Sequence, residues 1–138
     1  MADDELYIFD SCAVIAYLRH EPGAEIVAEI LKDSQKRCLI HAINACEVYY
    51  DIYRHSGEED ASALEEILAT AGIALVETLP SPLWRIAGGL KAKWRRVSLA
   101  DCLALALALL ERGTVLTCDH KELDPIAQAA VCPIRFIR

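Results

Sequence analysis

The chain has 138 residues, 54 % hydrophobic and 25 % charged, with a formal net charge of −7. This excludes a disordered chain and suits one globular core, so 1–138 reads as a single domain. The longest uncharged apolar run, Cys102 to Leu110, is about half of the roughly 18–20 residues that span a bilayer. The Met-Ala-Asp-Asp-Glu start has the wrong charge for a secretory signal, so a cytoplasmic protein without membrane association is expected.

Leu6–Phe9 is a short β-prone run ending in Asp10-Ser11 and reads as a buried first strand. Ala13 to Arg19 follows as a helix, stopped at Glu21-Pro22-Gly23. Pro22 suits the first turn of a second helix to about Lys32, with Ile26, Val27, Ile30 and Leu31 facing inward. Cys38–His41 is a second strand, and Asn44 begins or lies just inside a helix to about Arg54. The apolar face of that helix carries Ala45, Cys46, Val48, Tyr49 and Ile52.

Beyond Gly57, one acidic helix is expected from Glu58 to Ala71, closed by Gly72 and followed by a strand at Ile73–Val76. Pro80 and Pro82 precede a helix over Leu83–Arg96. Ser98 caps the strongest helix, an Ala/Leu run to Arg112 stopped by Gly113. Thr114–Thr117 is a fourth strand ending at Asp119; Asp124 then caps a last helix at Pro125, and Ile134–Ile137 is a fifth strand. Strands alternating with helices define an α/β three-layer sandwich around a central, mainly parallel sheet.

Open α/β sheets bind ligands at the carboxyl ends of their strands. Asp10 and Asp119 follow strands there, Asp101 lies in the first turn of the long helix, and Glu47 lies one turn into the helix after strand two. Each has a plainer reading. Asp10 can cap a helix, Asp101 can belong to a capping box with Ser98, and Asp119 can be a turn residue. Glu47 is harder to explain structurally, because Asp51 at i+4 repels it. Four such acids at one edge suit a hard divalent cation, Mg²⁺ or Mn²⁺, and hydrolysis of a phosphodiester by water.

The ordered set Asp10-Ser11-Cys12-Ala13, Asn44-Ala45-Cys46-Glu47-Val48, Ser98-Leu99-Ala100-Asp101-Cys102 and Leu116-Thr117-Cys118-Asp119 resembles PIN domains, and VapC-like toxins of toxin–antitoxin modules most closely. The resemblance implies a five-stranded parallel sheet and a Mg²⁺ or Mn²⁺ site in which Asp10, Glu47, Asp101 and Asp119 are metal ligands and catalytic residues. Ser11 and Thr117 would orient water or a ligand oxygen. It further implies endoribonuclease activity on RNA, a homodimer and a cognate antitoxin protein. A catalytically inert RNA- or protein-binding module is the alternative reading. A phosphotransferase with Asp10 as nucleophile would want a second acid where Cys12 stands.

Six cysteines form no C-x-x-C pair and read as free thiols in a reducing compartment. Cys12, Cys46, Cys102 and Cys118 each neighbour one of the four acids, which suggests packing beside the site and sensitivity to oxidation. The four histidines read as surface or packed residues, His120 beside Asp119 being the one of interest.

A net acidic chain repels phosphate, but its charge is segregated. No acid lies between Thr78 and Ala100, where Lys91, Lys93, Arg95 and Arg96 accompany Trp84 and Trp94. Those four cations are candidates for holding RNA, while the tryptophans read rather as core or dimer-interface residues.

Overall fold

The computed structural model describes residues 5–138. The elements are β1 (Glu5–Phe9), α1 (Ser11–Leu18), α2 (Ala24–Lys32), β2 (Lys36–His41), α3 (Ala42–Ser56), α4 (Glu58–Ser62), α5 (Leu64–Ala71), β3 (Ile73–Val76), α6 (Ser81–Lys93), α7 (Leu99–Glu111), β4 (Thr114–Thr117), α8 (His120–Gln128) and β5 (Ile134–Phe136). The strands form one parallel sheet in the order β3-β2-β1-β4-β5.

Side chains on a strand alternate between faces, and a parallel sheet is covered on both. In β1, Leu6 and Ile8 face α6, α7 and α8, while Tyr7 and Phe9 face α1, α2, α3 and α5. This produces the expected three layers with a core on each side. The α7 helix is buried from Ala100 to Ala108, which its uninterrupted Ala/Leu sequence permits. Among the described residues no helix is long and apolar enough to cross a membrane.

Several boundaries differ from expectation for identifiable reasons. Pro22 lies outside α2, which begins after Gly23 at φ 97°. A Cβ at Gly23 would stand 2.6 Å from the carbonyl oxygen of Ile137, so the chain turns there where only glycine fits. The acidic 58–71 helix is broken at Ala63. The Ser62 hydroxyl donates back to the Glu58 carbonyl (2.8 Å) and Ala63 N–H bonds Asp60, which tightens and ends the first turn. The α6 helix stops at Lys93 rather than Arg96, and 94–97 form a turn. Arg112, at φ 57°, supplies the left-handed C-cap of α7 ahead of Gly113. On α3, Cys46 and Tyr49 are exposed, and Asn44 takes the buried position instead. Asp51 is paired with Arg19 of α1, which removes the uncompensated repulsion with Glu47 inferred from sequence.

The sheet order reverses direction between β1 and β4: β2 and β3 lie beyond β1, and β5 lies beyond β4. A crevice opens at the carboxyl end of such a switch point, where the two neighbouring chains diverge into helices on opposite faces. Asp10 and Asp119 leave the sheet there.

Candidate metal centre

Asp10 follows β1, and its backbone N–H bonds the Leu116 carbonyl of β4 (3.2 Å). Its Oδ1 accepts the Ala13 N–H (2.9 Å), capping α1, and the side chain is 1 % exposed. Across the switch point, Thr117 is fully buried; its hydroxyl accepts the Asp119 N–H (3.0 Å) and lies against Cys12 Sγ (3.5 Å). Asp119 Oδ1 in turn caps α8 through the Glu122 N–H (3.0 Å). Ser98 caps α7 through the Asp101 N–H (3.1 Å), fixing Asp101 in the first turn. The N-termini of α1, α7 and α8 therefore all meet the acidic crevice, and their partial positive charge offsets part of the carboxylate repulsion. The capping reading of Asp10 is realised. The Ser98 cap forms, but the Ser98 N–H goes to Glu122 rather than closing a box with Asp101. Asp119, read as a turn residue, caps α8, so that capping aims the acids. Asp119 spends only Oδ1 in its cap.

Oxygens of Asp101, Asp119 and Glu122 lie within 4.8 Å of one another. Asp10 is close enough to Asp101 to raise its pKa electrostatically. Burial first, then the Glu122 hydrogen bond and the charges of Asp10, Glu122 and Asp119, push Asp101 up to about 9. Burial and the neighbouring Cys12 likewise hold Asp10 well above the usual carboxylate value, against hydrogen bonds from Thr117 and Ala13. Glu122 is shifted down, chiefly by the hydrogen bond from Asp101 and then by the Ser98 N–H (3.1 Å). The two shifts run in opposite directions, Asp101 holding its proton more tightly and Glu122 less.

Glu47, like Asp10, is not one of the three carboxylates that lie within 4.8 Å of one another. It is exposed and accepts a hydrogen bond from the Ser11 hydroxyl (3.1 Å). Ser11 therefore orients an acid rather than standing free. Two residues escaped sequence reasoning. Glu122 is three positions after Asp119 and looks like any acid in a first helical turn. Asn44 is fully buried, donates to the Ala100 carbonyl (3.2 Å), and leaves its Oδ1 without a partner. Three carboxylates within 4.8 Å of one another form an all-oxygen set of the kind that fits a hard divalent cation.

Cys12 accepts the Cys118 N–H at Sγ (3.2 Å) and lies 3.2 Å from Asp10 Oδ1. Its hydrogen bond lowers the pKa of Cys118, while its own thiol is raised, first by Cys118 and then by burial. Cys102 is buried and Cys46 exposed, so only the first two cysteines touch one another near the acids. Asp124 lies inside α8 rather than capping it, and pairs with His120 (2.7 Å). His120 stacks on Phe136 and links α8 to the last strand. His41 is buried, caps α3 and bonds the Thr78 carbonyl through Nε2 (2.9 Å).

Of the basic candidates, Lys91 is committed to the fold: its ammonium donates to the carbonyls of Arg95 (2.8 Å) and Val97 (2.7 Å). Lys93, Arg95 and Arg96 are exposed. Trp84 is 49 % exposed on α6, which removes the core half of the core-or-dimer-interface expectation for it, and Trp94 is half-buried.

A parallel α/β sheet with a buried acidic crevice at its switch point defines a class of proteins that bind ligands through carboxylates at strand ends. The chain belongs to the PIN-domain family, whose model matches residues 7–128. No curated protein matches it in sequence. Solved structures share the fold at low identity. VapBC-1 from nontypeable Haemophilus influenzae matches with a TM-score of 0.72 at 17 % identity, over 96 % of this chain and 98 % of that one. VapBC2 from Rickettsia felis, bound to a promoter DNA fragment, matches at 0.70 and 17 % identity, over 95 % and 98 %. FitAcB from Neisseria gonorrhoeae matches at 0.61 and 20 % identity, over 93 % and 95 %.

Proposed function

We propose that the protein is a metal-dependent endoribonuclease, the toxin of a toxin–antitoxin pair. The observation that carries this is the convergence of Asp101, Asp119 and Glu122 at the switch-point crevice, with Asp10 near enough to Asp101 to act on it electrostatically, in a chain of the PIN family. Membership of the family supports the nuclease reading, and the VapBC structures sharing the fold support the toxin reading.

In this reading Asp101, Asp119 and Glu122 hold Mg²⁺ or Mn²⁺, with Asp10 completing the site from β1. A divalent ion there supplies Lewis-acid activation of the scissile phosphate and of the attacking water. Asp101, whose pKa is raised by burial and by the neighbouring acids, would give up a proton on loading. The Thr117 hydroxyl fixes the start of α8 by accepting the Asp119 N–H. Glu47, oriented by Ser11, stands at the rim, where it is free to accept a proton or a water of the ion's shell. No side chain needs to form a covalent intermediate, and the position two residues after Asp10 is a thiol with a raised pKa rather than an acid. Formation of a homodimer and neutralisation by an antitoxin belong to the same reading. They are supported by the toxin–antitoxin complexes among the neighbours and by the exposed aromatic residues Tyr50 and Tyr53 on α3.

The test is incubation of purified protein with single-stranded RNA in Mg²⁺, Mn²⁺ or EDTA, beside Asp101→Asn. Metal-dependent cutting that disappears in the variant is expected. RNA binding without cutting in any metal would favour the inert module instead.

A further inference from the structure

We propose that the cavity between the α6–α7 turn and the start of α8 is a backbone-phosphate subsite for single-stranded RNA, with Lys93, Arg95, Arg96 and Lys121 as its cations. The inference rests on the reading of the adjoining carboxylates as an RNA-cleaving site, and extends it to how substrate is held.

The cavity has a volume of about 680 Å³, and its walls include Lys93, Trp94, Arg95, Arg96, Lys121 and Glu122. Glu122 belongs both to this wall and to the carboxylate group with Asp101 and Asp119. A chain bound at the acids is therefore led directly onto the cations. None of the four cations forms an ion pair among the described residues; the pairs that exist use Arg19, Lys36, His55, His120 and Arg138. In a chain of net charge −7, cations gathered without internal partners are not used by the fold. A ligand with several negative charges neutralises them, and repeated phosphates do so along a path.

The turn that carries Arg95 and Arg96 is also preset. Lys91 binds the Arg95 and Val97 carbonyls, Val97 N–H bonds Trp94 O (3.0 Å), and Ser98 N–H bonds Glu122 Oε1 (3.1 Å). The last of these ties the basic turn to the acidic site, so the spacing between cations and carboxylates is fixed before substrate arrives. Lys91 is accordingly a positioning residue and does not itself hold phosphate. The half-buried Trp94, with the Lys93 ammonium 5.9 Å from its ring centre, closes the wall as an apolar surface beside the charges. Lys121 was not apparent from sequence, because it lies far along the chain from the basic cluster and joins it only through α8.

The experiment measures binding of a fluorescently labelled single-stranded RNA by anisotropy across KCl concentrations, in an Asp101→Asn background that leaves the RNA intact. Lys93→Ala, Arg96→Ala and Lys121→Ala are combined, with Lys32→Ala on the distant α2 as control. Affinity is expected to fall roughly tenfold or more. The slope of log K against log salt should become shallower by about 2, at ~0.7 for each phosphate no longer neutralised; Lys32→Ala should change neither. If the combined variant melts below its parent, Arg96→Gln and Lys121→Gln are read singly, each expected to flatten the slope by about 0.7. An unchanged affinity and slope overturns the proposal, and is the result expected if the cavity instead receives an acidic protein segment. Failure of the nuclease reading is separately visible, as absence of metal-dependent cutting by the wild-type protein.

Discussion

Asp101 links the structure to a measurable pH dependence. Its carboxyl is held up to about 9 in the folded protein against a usual 3.8. Between those values the folded state binds more protons than the unfolded chain, so the group's contribution to stability is complete below about 3.8 and declines as pH rises toward 9. Glu122, shifted below its usual 4.5 by the same hydrogen bond, acts in the opposite sense but at acid pH, outside most of that window. In EDTA, the melting temperature of the wild-type protein should therefore fall between about pH 5 and pH 8 more steeply than that of Asp101→Asn. Parallel melting profiles would show that Asp101 does not carry this proton. Glu122→Gln should weaken Mn²⁺ binding by about 10- to 100-fold, the usual cost of losing a ligand or its support. An unchanged affinity would restrict the site to the three aspartates.

The contact between Cys12 and Cys118 makes oxidation a third residue-scale test. Peroxide should convert one thiol to a sulfenic acid, which the other displaces with release of water to form a disulfide. Cleavage should then be abolished reversibly, and retained in Cys118→Ser. Inactivation of both proteins alike would place the damage elsewhere. At this scale, Asp101 and Asp119, two of the three clustered carboxylates, were legible because each follows a strand end or a strong capping serine. Glu122 was not, because nothing in a first-turn Glu tells whether it faces solvent or an Asp two elements away. Lys91 departs from expectation for the converse reason: composition places a charge on a segment but does not show that its ammonium turns back onto carbonyls.

Among the elements, two depend on single residues, and one of them, α7, aims the site. Gly23 allows the chain to pass against Ile137, and Gly23→Ala places a methyl 2.6 Å from that carbonyl in a left-handed conformation. A loss of about 2 kcal/mol or more is expected, from the left-handed backbone penalty plus the overlap, read as a fall in denaturation midpoint. Ser98→Ala removes the bond that sets Asp101, at a cost of about 1 kcal/mol. The order and type of the elements followed from period and punctuation, since each strand is a short apolar run between breakers. The boundaries that moved did so through interactions the sequence does not display. Asp119 captured the Glu122 N–H and started α8 early, which drew Asp124 and Pro125 inside the helix. Serine back-bonding split the acidic helix, and the Lys91 ammonium fixed a turn where a continuous helix was expected.

For the whole molecule, the net charge of −7 conceals two opposed surfaces: a crevice of acids at the β1–β4 switch point and a basic turn beside it. The sheet order makes this possible, because β1 and β4 are adjacent while the helices that follow them lie on opposite faces. Asp10 and Asp101 hold their protons more tightly than free carboxyls in that crevice, and a bound cation would displace them. The most direct test is calorimetric titration of Mn²⁺ into the metal-free protein near pH 7, in two buffers of different ionisation enthalpy, beside Asp101→Asn. Saturable binding with release of about one proton per protein is expected, and no such release by the variant. Absence of binding, or binding without proton release, would contradict the assignment of the carboxylate crevice as a metal centre.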